Sequence, residues 1–181
     1  MTKKSEQLDE ALERGTLIRF RSAYDGERFE GYVLDVGARY FLLRCVSDDI
    51  LFNGFSCFRI ADVRRLAPAP HADFIVAALR LRCPEPPQRP AIDLASIESI
   101  IASGAPLFPL TTIHCERDYP DECYIGAVAG IRRGQLSLLE VNPSALWDTE
   151  PTNYQLSRIT RVEFGGLYED ALHLVAGAPP T

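Results

Sequence analysis

Three histidines and five cysteines are the residues of this 181-residue chain from which a reactive site would most readily be built. The densest group is His114-Cys115-Glu116 followed by Asp121-Glu122-Cys123. Imidazole, thiolate and carboxylate are the usual ligands of zinc. If the two segments pair as a hairpin, Cys115 and Cys123 approach closely enough to share an ion. The spacing nevertheless matches no zinc signature, and Tyr119-Pro120-Asp121 reads as an ordinary turn. A Cys–His catalytic pair is disfavoured too, because neighbours on a strand point to opposite faces. The expectation is no catalytic residue, no metal and no cofactor.

The remaining candidates are sparser. His71 and His173 fall near or within helices, where surface and capping roles are common. Asp48-Asp49 beside Asn53-Gly54 offers oxygens, but not at the spacing of a calcium loop. Gly165-Gly166 before a helix invites a phosphate, yet Glu169 and Asp170 in the first turn would repel it and complement the helix dipole instead. The doubled arginines Arg64-Arg65 and Arg132-Arg133 sit at turns or rims. Phe52 and Trp147 occupy matching loops, as lids over a core or as anchors for a partner. Phe52, Trp147, Arg64 and Arg65 are the candidate partner-binding residues.

The elements that position these residues come from an internal repeat. Gly31-x-Val33-x-x-Val36 and Phe41-x-Leu43-x-x-Val46 recur as Gly126-x-Val128-x-x-Ile131 and Leu136-x-Leu138-x-x-Val141, at one offset of 95 residues. After a one-residue insertion, Phe58-x-Ile60-x-x-Val63 returns as Tyr154-x-Leu156-x-x-Ile159, with Arg65 opposite Arg161. A duplicated unit of roughly 80–90 residues follows. Each copy predicts a short helix, five strands and a closing helix. In the first copy Ser5 is the expected N-cap and Gly15 the stop, with strands over 16–21, 29–36, 40–46 and 55–60. Gly37 and Asn53-Gly54 are the expected turns, residues 61–66 lead into a fifth strand, and 71–81 form the closing helix. The second copy predicts helix 94–103 capped by Asp93, strands over 110–116, 123–131, 135–141, 153–156 and 161–164, and a last helix over 167–175. The division is 1–82, a proline-rich linker 83–91, and 92–181.

Composition narrows the function. Apolar residues make up 46% and charged residues 24%, which suits a folded globular chain. No apolar run reaches the ~20 residues a membrane helix needs, and no secretory h-region follows Met1-Thr2-Lys3-Lys4. An odd set of cysteines without a C-x-x-C pair fits reduced thiols and a cytoplasmic location. The net charge of −6 is uneven: residues 1–90 carry 14 basic and 13 acidic side chains, residues 91–181 carry 5 and 12. This acidity disfavours nonspecific attraction to nucleic acid.

Gly31-x-Val33, Tyr40-Phe41-Leu42-Leu43 and Phe58-Arg59-Ile60-Ala61-Asp62-Val63, with their second-half counterparts, resemble the Sm-like and SH3-like small barrels. The resemblance covers most of both copies. It implies a mainly β fold with short flanking helices, as two tandem five-stranded barrels packed as a pseudo-twofold pair. RNA-binding Sm proteins usually carry Asp-x-x-Met-Asn after the glycine strand; here those places hold Gly37, Tyr40 and Phe41, and Arg132, Gln135 and Leu136. The expected function is a non-catalytic binding or scaffolding protein with a protein partner, self-association being one option. Sm-like RNA binding is the alternative, and an enzyme ranks behind both.

Overall fold

The computed structural model describes residues 2–24 and 26–180. Helix α1 (Lys3–Arg14) opens the chain; Thr2 Oγ1, rather than Ser5, is its cap and accepts from the Ser5 amide. Strands β1 (Leu17–Ser22), β2 (Arg28–Val36), β3 (Tyr40–Val46), β4 (Phe52–Arg59) and β5 (Val63–Pro68) follow, with a 3₁₀ turn (Ile60–Asp62) before β5. Helix α2 (Ala72–Arg82) closes the first half. The second half runs α3 (Ile97–Gly104), β6 (Thr111–His114), β7 (Cys123–Arg132), β8 (Gln135–Glu140), β9 (Thr152–Gln155), a 3₁₀ turn (Leu156–Arg158), β10 (Arg161–Phe164) and α4 (Leu167–Ala176). Ser96, not Asp93, caps α3.

The halves repeat each other in backbone detail as well as in sequence. The bulge between Val33 and Asp35 has its counterpart between Val128 and Gly130. Ile50 and Ala145, one offset apart, take left-handed φ values of 57° and 58° in matching turns. Gly31 and Gly126 meet the same obstacle. A Cβ on Gly31 would stand 2.3 Å from the Arg44 carbonyl oxygen, and one on Gly126 would stand 2.2 Å from that of Leu139. The glycines are required because the neighbouring strand passes too close for a side chain.

Two separate closed barrels are not what these strands build. They form one open antiparallel sheet of ten strands, ordered β5-β1-β2-β3-β4-β10-β6-β7-β8-β9. Strand β10 is paired on both sides: Val162 faces Ile113 of β6 and Cys57 of β4. Each half keeps its fifth strand beside its first, and the second half's fifth strand then lies along the first half's fourth. The joined edges are unlike, so the halves follow head to tail and not about a twofold axis. The physical reason is edge satisfaction: β4 alone would present a row of unpaired backbone groups.

Asn53-Gly54, read as a turn, lies inside β4, and the turn falls at residues 47–51. Gly54 has φ 66°, and a Cβ there would meet the Phe164 carbonyl oxygen at 2.4 Å. That glycine serves the join rather than a hairpin.

One buried core crosses the join. Val162, Phe164, Ile113, Leu136 and Leu138 of the second half share it with Tyr40, Leu42, Phe55 and Cys57 of the first, and α3 adds Ile97, Ile100 and Ile101. The first half keeps its own cluster around Leu8, Phe20, Phe41 and Phe58. The proline-rich segment is held down, with Arg44 donating to the Pro87 carbonyl and Arg89 paired with Asp35. Ile92 and Leu94 then enter the shared core. At the free end of the second half, the residues equivalent to Tyr40, Leu42 and Cys57 are Gln135, Ser137 and Asn153. That surface is polar and outside the core.

A sheet with a common core unfolds as one body. Gly31→Ala and Gly126→Ala are each expected to lower stability by about 1–3 kcal/mol through overpacking. In urea, fluorescence and circular dichroism should give one coincident transition for both variants. Two separable transitions, with one unmoved by each substitution, would show the halves to be independent.

Candidate functional site

Strand alternation decides the fate of the predicted ligand group. His114 pairs with Cys123 across the β6–β7 ladder, while Cys115 points into the shared core. Cys115 and Cys123 are therefore not brought together, and no group of three metal-ligating side chains occurs among the described residues. Asp48 pairs with Arg28, and the turn it occupies stays at the surface. The N-terminus of α4 is already satisfied by the chain itself: Asn53 Oδ1 accepts from the Leu167 amide, and Glu169 lies over Gly166.

What the join does assemble is a buried polar cluster on the other face of β10, which the sequence reading missed. Arg161 and Glu163 alternate with Val162 and Phe164, so they emerge together opposite the shared core. The Arg161 side chain is 5% exposed and reaches Glu116 at 3.4 Å, Glu163 at 3.5 Å and Glu27 at 3.3 Å. Its guanidinium also lies 4.5 Å from the centroid of the Phe29 ring. Arg161 donates to His114 Nδ1 at 3.0 Å, which leaves the proton on Nε2, 3.2 Å from Glu163 Oε2. Ser56 donates to Glu163 Oε1 at 3.0 Å.

Chemically this cluster is a clamp. Ser56 donates to the Glu163 carboxylate, which Arg161 also holds. Burial pushes the nearby Cys45 thiol up to about 12, so it carries no thiolate at neutral pH. Burial also opposes the charge on Glu163, but Arg161, with His114 and Ser56, outweighs it and holds the carboxyl at about 2.

A second region lies at the join, between the first turns of α1 and α3. It is a cleft of ≈ 950 Å³ lined by Lys3, Lys4, Arg39, Arg59 and Arg117, with Asp62 and Glu98 the carboxylates among the described lining residues. Its floor is apolar, from Tyr40, Ile60, Ala61, Ile97 and Leu156. Lys4 donates to the Ala61 carbonyl, Arg39 to that of Ala95 and Arg59 to that of Ile159. Arg117 donates to the Tyr24 hydroxyl. These cations are far apart in sequence; the β3–β4 ladder, which pairs Tyr40 with Arg59, brings Arg39 and Arg59 together.

The third region is the pair of closing helices. Helix α2 buries Ile75 and Leu79 and turns Phe74 and Leu81 outward, 64% and 86% exposed. Helix α4 buries Leu172 and turns Leu174 and Val175 outward, 84% and 78% exposed. Phe52 is half-buried against the core under α2, beneath the Arg44 guanidinium. Trp147 holds the equivalent place under α4, its indole N–H donating to the Ala176 carbonyl. Both anchor their helices from below. Arg64 and Arg65 are exposed on the edge strand β5, Arg64 donating to the Ala61 and Val63 carbonyls.

No protein-family model, curated protein or solved structure matches this chain. No helix among the described residues is long and apolar enough to cross a membrane.

The depressed Glu163 carboxyl makes a directional prediction. A group whose pKa is lowered on folding contributes stability above its unfolded value and loses it as pH falls through the folded one. Stability is therefore expected to drain between about pH 4.5 and pH 2. Glu163→Gln should be less stable at neutral pH and show a flatter acid limb, read from urea midpoints across that window. An unchanged limb would remove Glu163 from the clamp.

Proposed function

We propose that this protein is a non-catalytic binding and scaffolding protein whose partner is another protein, built from two Sm-like units fused into one sheet. The observation that carries this reading is the large apolar side chains that α2 and α4 leave exposed beside their charged residues, Asp73, Arg80 and Arg82 on α2 and Asp170 on α4. Exposed apolar patches of this kind mark interaction surfaces. Here Ile75, Leu79 and Leu172 are buried, while Phe74, Leu81, Leu174 and Val175 are left largely exposed by the described residues. The two helices hold equivalent places in the repeat, so the protein offers two docking faces of one kind.

Leu81→Glu and Leu174→Glu test this, since both positions are exposed and should leave stability within about 0.5 kcal/mol. Partner recovery on immobilised protein, followed by mass spectrometry, is expected to fall with either variant and to vanish with both. Recovery unaffected by the double variant would overturn the reading. So would a wild-type dimer, seen by light scattering, that either variant converts to monomer, because the faces would then serve self-association.

A further inference from the structure

The cleft between α1 and α3 is independent of the closing helices and holds a charge pattern at odds with the rest of the molecule. The chain is net acidic at −6, yet among the described residues that line this cleft five cations stand against two carboxylates, Asp62 and Glu98. Arg14, Arg28, Arg89 and Arg158 elsewhere on the surface are ion-paired, with Glu10, Asp48, Asp35 and Asp118, whereas Arg21, Arg64 and Arg82 rest on backbone carbonyls; what sets the cleft apart is five cations lining one cavity. Among the described residues, no ion pair forms at Lys3, Lys4, Arg39, Arg59 or Arg117; Lys4, Arg39 and Arg59 rest on backbone carbonyls and Arg117 on a tyrosine hydroxyl. The Arg59 Nε–H is buried without an acceptor. The guanidinium groups of Arg39 and Arg59 lie 5.8 Å and 6.0 Å from the centroid of the Tyr40 ring.

Like charges gathered in excess of their counter-charges repel one another, and an anion that joins them relieves the repulsion. The helix ends add partial positive charge of the same sign. One carboxylate would satisfy few of these donors, whereas a chain of phosphates offers several charges and many acceptor oxygens. The volume of ≈ 950 Å³ and the floor of Ile60, Ala61, Ile97 and Leu156 leave room for an organic body beside the phosphates.

We propose that this cleft binds a small-molecule di- or triphosphate, its phosphates on Lys3, Arg39, Arg59 and Arg117 and its organic group on the apolar floor. The probe is inorganic pyrophosphate, titrated by calorimetry and followed by thermal shift. Saturable binding at one site per chain is expected, weakening with salt. Lys3→Glu/Arg39→Glu, at two exposed positions, should weaken it by about tenfold or more, while Leu81→Glu leaves it unchanged. A nucleoside triphosphate should bind more tightly than pyrophosphate, and the bare nucleoside should not bind. Absence of saturable binding, or equal affinity in the charge-reversed variant with native circular dichroism, would overturn the proposal. Displacement of pyrophosphate by single-stranded RNA at far lower concentration than by nucleoside triphosphate would overturn it in favour of a nucleic-acid groove.

Discussion

Strand β10 carries the structure. Its four residues pair with β6 on one side and β4 on the other, and each of its faces is committed. Val162 and Phe164 supply the middle of a core drawn from both halves, and Arg161 and Glu163 supply the centre of a buried ionic cluster. Removing one partner of such a cluster leaves a buried charge uncompensated, a heavier loss than any single surface contact. The cleft exists because this strand fixes the second half's 3₁₀ turn, through Leu156, beside the first half's β3–β4 ladder.

Within each half, most of the fold was legible in the residues. Strands β3 and β10 occupy the expected residues, the fourth strand of each copy stops one residue early where Ile60 and Leu156 open 3₁₀ turns, and Gly31 and Gly126 reveal their purpose as close crossings. These features follow from local pattern, since period-two alternation and obligatory glycines are visible in a single chain. The relation between halves was not legible. Which outer edge accepts a neighbour depends on side chains such as Ser56 and Cys57, whose sequence pattern is the same for a covered edge and for a solvated one. Asn53-Gly54 misled for the same reason: its hairpin chemistry is genuine, but Gly54 is needed where β10 ends.

The candidate sites divide along the same line. His114-Cys115-Glu116 attracted notice because the residues are adjacent, and adjacency on a strand is what separates them. Lys3, Arg39, Arg59 and Arg117 attracted none, because their meeting is a tertiary event between two helix starts and two turns. Phe52 and Trp147 were rightly matched to each other, and each serves to seat a closing helix.

The polar exchange at Gln135, Ser137 and Asn153 has a consequence for growth of the architecture. A head-to-tail join can in principle be repeated without limit, copy after copy, as a filament or a ring. Here the landing ground for another α3-like helix is greasy in the first copy and hydrophilic in the last. Another helix of the α3 kind would find no apolar seat on that edge, so the packing that joins the two halves is not repeated there.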